Sequence, residues 1–348
     1  MTALPAKLEL ELSGQCNLRC PMCSSRLRKE GPPKNPPAFM TFEDFKRTID
    51  QFDSAEELSL QGLGEPLMHP HFFDFVAYAT GRGLRVTTST NMTIMGHLTA
   101  ERCVTSGLAH VFISLDAATP RTFEKIRCGA RLPQVERNIG LLQEAKSALR
   151  SDTPGISLTA VAMRENLEEL DELVKLARRC SIDHVDVKHL SHGYAEPDLP
   201  AKYRPMHDFY VDQSLLMADI TLVKKNFERA QKVADRMSVE LKLPAPKANG
   251  KANGKGNGNG NGNGHRRKNG NGKKHCDSVW SSACITYQGF AVPCEILATP
   301  DRVNFGSVVE QGARKVWNSE AFESFRERLS SDDPPDVCRS CSVYRGAS

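Results

Sequence analysis

The sequence predicts an α/β protein built on a parallel sheet, with a small cysteine-rich region at its C-terminal end. Two observations carry the first part. Short runs of β-branched and aliphatic residues recur between residues 8 and 190, and helical patterns separate them. Six such strand-then-helix units in succession imply parallel strands joined by helical crossovers. A sheet of this kind either closes partway into a barrel or lies flat with helices on both faces, and local pattern does not choose between these. The third observation is the placement of five of the eleven cysteines within residues 276–348.

The elements follow in order. Residues 8–12 alternate apolar and charged side chains and read as the first strand. Residues 57–61, 84–88, 111–115, 156–162 and 185–190 read as the next five. Thr41 ahead of Glu43 and Asp44 is a helix N-cap with an acidic first turn. Helical patterns follow at residues 71–81 and 98–106, and longer, more periodic ones at 134–149 and 166–180. Residues 207–241 read as one or two amphipathic helices. Asn-Gly repeats dominate residues 248–272, with almost nothing apolar to offset the entropy of ordering, so this segment is expected to be disordered. A flexible linker is the main reading, and a basic tether to RNA or to an acidic partner the alternative. Beyond it come a hairpin, residues 283–287 and 290–292 around Gln288-Gly289, and a helix near residues 320–329. The expected division is a sheet domain (1–205), connecting helices (206–244), a linker (245–275) and a cysteine-rich domain (276–348).

The net charge of +4 comes from the linker. Lys247, Lys251, Lys255, Arg266, Arg267, Lys268, Lys273 and Lys274 lie between residues 245 and 275 with no acid among them; without them 38 basic residues face 42 acidic ones. The remaining surface is slightly acidic, so nucleic acid is not an expected partner. No stretch approaches the ~18 consecutive apolar residues of a membrane helix. The N-terminus lacks the apolar core and cleavage site of a signal peptide. A cytoplasmic location is therefore expected, with cysteines used as metal ligands, catalytic groups or buried apolar residues rather than as disulfides.

The segment Cys16-Asn-Leu-Arg-Cys20-Pro-Met-Cys23 follows the first strand directly. Ligand sites in α/β sheets gather at the carboxyl ends of strands. Three close thiolates suit three corners of a 4Fe–4S cube and leave the fourth iron open. A structural zinc ion normally takes four ligands, and the next cysteine is Cys103. The three cysteines resemble the motif of the radical S-adenosylmethionine superfamily, with Met22 standing where that family usually has an aromatic residue. Gln61-Gly-Leu-Gly-Glu-Pro-Leu67 resembles the family's Gly-Gly-Glu-Pro element, with Leu63 in its first glycine position; read alone it is equally a strand-ending turn. Thr88-Ser-Thr-Asn91, Phe112-Ile-Ser-Leu-Asp116 with Thr119 and Phe123-Glu-Lys-Ile-Arg127, and Asn166 resemble later strand ends of the family, though Asn166 also reads as a helix N-cap. The resemblance covers about residues 8–190.

That resemblance implies a partial (β/α)6 TIM-like barrel. It implies a 4Fe–4S cluster on Cys16, Cys20 and Cys23 whose open iron takes the amino and carboxylate groups of S-adenosylmethionine. It makes Met22, Gly64, Glu65, Asn91, Ser114 and Arg127 candidate contacts of that cofactor: Gly64 and Glu65 at its amino group, Ser114 and Arg127 at its ribose or carboxylate. A carboxylate is a natural partner for an ammonium group. Reductive cleavage then yields methionine and a 5′-deoxyadenosyl radical that abstracts hydrogen from an unactivated C–H bond. An electron donor such as flavodoxin or ferredoxin is an implied partner.

The later cysteines are Cys276, Cys284, Cys294, Cys338 and Cys341. Cys338 and Cys341 form a C-x2-C pair, and Gly289-Phe-Ala-Val-Pro-Cys294 a G-x4-C. Read alone, two pairs describe a zinc ribbon as well as an iron–sulfur site. Behind a radical enzyme they resemble the twitch subdomain, a shortened SPASM domain, which implies one auxiliary 4Fe–4S cluster on Cys276, Cys294, Cys338 and Cys341. A second is not expected, because the chain ends seven residues past Cys341. Cys284, between Ala283 and Ile285, reads as buried core; were it a ligand, Cys276 would be displaced. Isolated Cys103, Cys128 and Cys180 also read as core; Lys188 and His189 are candidate substrate contacts, with satisfied surface or core polar groups as the favoured reading of the two.

A four-ligand cluster has no open iron and moves electrons, which points to a net oxidation. The layout is similar to that of the S-adenosylmethionine-dependent aminocyclitol dehydrogenase and the anaerobic sulfatase-maturating enzymes. The expectation is a radical oxidoreductase acting on a small polyol or sugar-type metabolite. The alternatives are a ribosomal-peptide or protein maturase, disfavoured by the lack of a leader-binding extension before residue 8, a radical decarboxylase or epimerase, and a non-catalytic zinc-binding protein.

Overall fold

A computed structural model describes residues 2–27, 38–246 and 276–346. The disorder expected of residues 248–272 lies outside the described residues. The sheet begins with β1 (Lys7–Leu10), β2 (Glu57–Leu60), β3 (Arg85–Thr90), β4 (His110–Ser114), β5 (Gly155–Ala162) and β6 (His184–His189), each parallel to the next. The helices between them are α1 (Phe42–Ile49), α2 (Phe72–Gly81), α3 (His97–Thr105), α4 (Pro120–Ile126), α5 (Leu132–Ala148) and α6 (Leu170–Arg179). The result is a partial TIM-like barrel of six β/α units.

Local chemistry accounts for the helix starts. Thr41 accepts a hydrogen bond from the Asp44 amide, as an N-cap does. Thr119 caps α4 in the same way, with Pro120 at its first position, where a missing N–H costs nothing. Glu169 adds to this cap, accepting from the amides of Ala118 (3.2 Å) and Thr119 (3.1 Å) and from the Thr119 hydroxyl (2.8 Å). Asn166 is not a side-chain cap. Its amide donates to the carbonyls of Asp116 (2.7 Å) and Val161 (2.8 Å), and its oxygen accepts from the Met163 amide (2.7 Å), so it staples the ends of β4 and β5 together.

Two features go beyond the sequence expectation. The segment after β6 carries α7 (Arg204–Gln213) and α8 (Ile220–Met237), then a seventh strand, β7 (Glu240–Lys242), parallel to β6. At the other edge, β8 (Ser282–Ile285) pairs in parallel with β1, and β9 (Ala291–Val292) closes the expected hairpin against it. The sheet order is therefore β7-β6-β5-β4-β3-β2-β1-β8-β9. The C-terminal region completes with α9 (Ser278–Ser281), α10 (Val308–Gln311), α11 (Ala313–Trp317), α12 (Glu320–Ser330) and α13 (Asp336–Arg339). One apolar core runs from Leu8 through the barrel to Phe322 and Tyr344.

Strand alternation decides what faces where. Leu8 and Leu10 of β1 are in register with Leu58 and Leu60 of β2 and with Ala283 and Ile285 of β8, and all six are buried against the helices. The intervening positions, Glu9, Ser59 and Cys284, share the opposite face. Among the described residues no helix is long and apolar enough to cross a membrane.

Candidate functional site

The inward positions line one cavity of about 710 Å³. A TIM-type barrel normally fills its interior with bulky branched side chains. Here the lining mixes apolar groups with many polar side chains: Glu9, Ser59, Thr87, Ser114, Thr159, Asp186 and Lys188 all reach it. Cys16, Cys20 and Cys23 lie at the same cavity, and so does Glu295, the residue after Cys294.

The loop carrying the first three cysteines is fixed by its neighbours. Arg19 N–H donates to the Cys128 carbonyl (2.9 Å), docking the loop on the end of α4. Asn91, after β3, donates to Asn17 (2.9 Å) and lies 3.8 Å from the Cys16 sulfur. Burial pushes the Cys16 thiol up to about 12. It pushes Cys20 up to about 11, with the Arg127 guanidinium pulling partly the other way. Thiols this reluctant to ionise become thiolates when a metal takes them. Among the described residues no three His, Cys, Asp or Glu side chains converge on a point suited to a single metal ion. Three thiolates suit a 4Fe–4S cube, each at its own corner.

Gly64 sits where only glycine fits: a Cβ there would lie 1.8 Å from the Ser13 carbonyl oxygen. Glu65 is buried, and its amide donates to the Gln15 carbonyl (2.8 Å). Its carboxylate accepts from the Thr90 hydroxyl (2.6 Å), the Asn91 amide (2.8 Å) and the Leu67 amide (3.2 Å). Burial raises its pKa and these bonds oppose the rise. A carboxylate has about four acceptor positions, so one remains for an ammonium group. Ser114 faces the cavity at the end of β4. Met22 packs on the core and is not one of the cavity's lining residues.

Arg127 also lines the cavity and is held there by an ion pair. Its Nε donates to the buried Asp116 carboxylate (2.5 Å), whose other oxygen accepts from the Val161 amide (2.7 Å). Burial opposes the Arg127 charge, but Asp116 and Cys20 hold its pKa up. Asp116 and Glu169 are site-supporting residues that pattern reading missed. In the sequence Asp116 is only the last residue of a strand end, and nothing local marks it as the partner of an arginine eleven residues on.

The two candidate substrate contacts at the end of β6 separate. Lys188 faces the lumen. His189 is turned to the outer face, buried, with its ring 2.9 Å from the Ala245 carbonyl. Adjacent strand residues point to opposite faces, so the pair could not have served together.

The C-terminal thiols gather as a second set. The Cys294 thiol is raised first by burial and then by Cys341, Cys276 and Cys338, so the four lie within electrostatic reach of one another. Cys338 is pushed up to about 12 by burial, with Cys341 and Cys276 adding to it. Cys284 is buried on the lumen side of β8, in register with Glu9. Burial raises the Glu9 carboxyl to about 7 and Glu295 adds to the rise; hydrogen bonds with Cys284 and Gln61 and the charge of Lys188 oppose it. Gln61 in turn donates to Glu295 (2.7 Å), so a polar chain runs from β1 to the residue beside Cys294.

The class follows from this geometry. The radical SAM superfamily matches residues 10–203, and the chain belongs to it. Residues 276–342 match the SPASM iron–sulfur cluster-binding domain. The cofactors are therefore S-adenosylmethionine, its 4Fe–4S cluster and auxiliary iron–sulfur binding in the C-terminal region. Among individual proteins, the chain is similar to the tungsten-containing aldehyde ferredoxin oxidoreductase cofactor-modifying protein of Pyrococcus furiosus, at 25% identity over 97% of this chain and 87% of that one. It is also similar to the PqqA peptide cyclase of Xanthomonas axonopodis pv. citri, at 23% identity over 97% of this chain and 80% of that one. Its fold matches Streptococcus suis SuiB bound to S-adenosylmethionine, with a TM-score of 0.63, 16% identity, and coverage of 99% of this chain and 72% of the other.

Proposed function

We propose that this radical SAM enzyme oxidises a polar substrate held in the barrel lumen, between the cysteine loop of residues 16–23 and the auxiliary site at Cys294. One observation carries the reading: a single cavity of about 710 Å³ is lined at once by Cys16, Cys20 and Cys23 and by Glu295. A group lying in it is adjacent to both sites.

When bound, the first cluster and S-adenosylmethionine supply a 5′-deoxyadenosyl radical, and the auxiliary cluster supplies a one-electron acceptor. The residues do the rest. Cys16, Cys20 and Cys23 would hold the first cluster; Cys276, Cys294, Cys338 and Cys341 would hold one auxiliary cluster. Gly64 and Glu65 would receive the amino group of S-adenosylmethionine, with Asn91 steadying the cysteine loop, Ser114 at the ribose and Arg127 acting through Asp116 and Cys20. Glu9, Asp186, Lys188 and Glu295 would orient the substrate by hydrogen bonds and charge. The walls of the lumen exclude water from the radical step. A flavodoxin or ferredoxin would deliver the electron that starts each cycle.

The substrate is a peptide side chain or a cofactor precursor. Support comes from the relatives, whose names describe a peptide cyclase and a cofactor-modifying protein. A polyol or sugar is the second reading, favoured by the hydroxyl- and carboxylate-rich lumen. Anaerobic incubation with candidate peptides and polyols tests the proposal by mass spectrometry. Wild type should form 5′-deoxyadenosine together with a product that has lost two hydrogens. Cys294→Ala should keep cleaving S-adenosylmethionine but yield no oxidised product. Equal oxidised product from Cys294→Ala and wild type would remove the auxiliary cluster from the reaction.

A further inference from the structure

We infer that the chain between β6 and α7, together with Arg302, forms a strut joining the two cysteine loops, and that the Arg302 charge raises the reduction potential of the C-terminal cluster. This rests on the reading of Cys276, Cys294, Cys338 and Cys341 as that cluster's ligands.

The strut touches the C-terminal loop at two points. The Ser342 amide, next to Cys341, donates to the Ser191 carbonyl (2.8 Å). Gly193 packs so tightly on Ser340 that an added Cβ would stand 2.9 Å from the serine Cβ. It touches the N-terminal loop through Tyr194 and Tyr203. Their rings stack at 5.9 Å with 17° between planes, and Leu27, four residues after Cys23, packs against the cluster they form with Met206. Tyr194 is held at φ 47°, a backbone conformation a tyrosine adopts only when its surroundings impose it.

Arg302 sits at the centre. Its guanidinium lies 4.8 Å from the Tyr194 ring and 5.2 Å from the Tyr203 ring. It is ion-paired with Glu196, and its Nη2 is 2.7 Å from His192 Nε2. The Arg302 side chain is 2% exposed and that of Glu196 8%. Withdrawing two charges from water is costly and repays little in stability, so stability alone does not account for this pair. His192 adds no charge near neutral pH, because burial and then Arg302 push its pKa down to about 3. Arg302 itself stays charged, its pKa lowered only to about 10, mainly by burial. Its neighbours His192 and Tyr194 flank Gly193, which packs on Ser340 between Cys338 and Cys341, so the guanidinium stands close behind the C-terminal cysteine loop.

A reduced cluster carries one more negative charge than an oxidised one, and net charge nearby is one of the factors that set its potential. A fixed cation close behind this loop therefore favours reduction. Its partner Glu196 opposes this.

The test is a redox titration of the full-length holoenzyme followed by electron paramagnetic resonance, with added S-adenosylmethionine marking the N-terminal cluster's signal. Arg302→Met should shift the C-terminal cluster's midpoint downward and Glu196→Gln should shift it upward, with Arg302→Lys close to wild type. The N-terminal cluster's midpoint should stay in place in all three. Should Arg302→Met lose the cluster, Glu196→Gln alone decides: an upward shift supports the assignment and no shift overturns it. Unshifted midpoints, shifts of one sign in both variants, or loss of the cluster in both would overturn the redox role. No substrate is present in this experiment, so its outcome is separable from that of the oxidation proposed above.

Discussion

Replacing Cys16, Cys20 and Cys23 together by Ala should abolish cleavage of S-adenosylmethionine and lower the iron content from about eight atoms per chain to about four, the contents of two cubes and one. The expected effect is complete because the proposed cube would have the three thiolates at three of its corners. Cys103 is buried in α3, and Cys128 points its sulfur at the Lys125 carbonyl (3.2 Å). The remaining four irons should belong to the C-terminal site, whose cysteines reach the barrel through β8 and the shared core rather than through the first loop. Iron and acid-labile sulfide, measured on anaerobically purified protein beside a 5′-deoxyadenosine assay, check both parts. Zinc in place of iron, or unchanged iron in the triple variant, would contradict the assignment.

Asp116→Ala should lower the unfolding free energy by about 3–5 kcal/mol, the usual cost of removing one partner from a buried ion pair. Asp116 is fully buried and Arg127 is 14% exposed. Without the carboxylate, Arg127 remains charged in the interior and the Val161 amide loses its acceptor. Replacing both partners with apolar residues, Asp116→Leu with Arg127→Met, should cost much less, because the stranded charge is then absent. Denaturant unfolding of the two variants and wild type checks this. A loss below about 1 kcal/mol in Asp116→Ala, the level of an exposed ion pair, would show that the site is wetter than the geometry describes. The same variant should also load the first cluster poorly, since Arg127 reaches Cys20.

How much of this was legible in the sequence depended on whether the signal was local. The six barrel strands were, because their apolar runs are short and bounded, and each lies within two residues of its predicted ends. The Thr41 cap was legible for the same reason. The addition of β8 to the edge of β1 was not. That pairing joins Leu8 to Ala283 across the whole chain, and no local pattern in either segment announces it. The strand β7 is three residues long and carries too little pattern to be seen. The glycine and acid of residues 62–65 were visible as a motif, but their reason was not: Gly64 is pressed against the Ser13 carbonyl, and Glu65 is gripped from β3. Lys188 and His189 alternate on one strand and cannot both face the lumen, which leaves His189 among the buried polar groups of the outer face. The polar lumen follows from the same alternation. Glu9 stands between Leu8 and Leu10, yet an isolated glutamate in a strand looks like a solvent-facing residue until the barrel closes around it.

The most direct measurement of the central claim is deuterium transfer. A candidate substrate carrying deuterium at a non-exchangeable carbon is turned over anaerobically, and the 5′-deoxyadenosine formed is weighed. If the lumen holds the substrate beside the first cluster, the label appears in 5′-deoxyadenosine, and the product carries one deuterium fewer. If 5′-deoxyadenosine stays unlabelled while the labelled position is oxidised, hydrogen leaves by another route, and the lumen between Cys16 and Cys294 is not where this chemistry takes place.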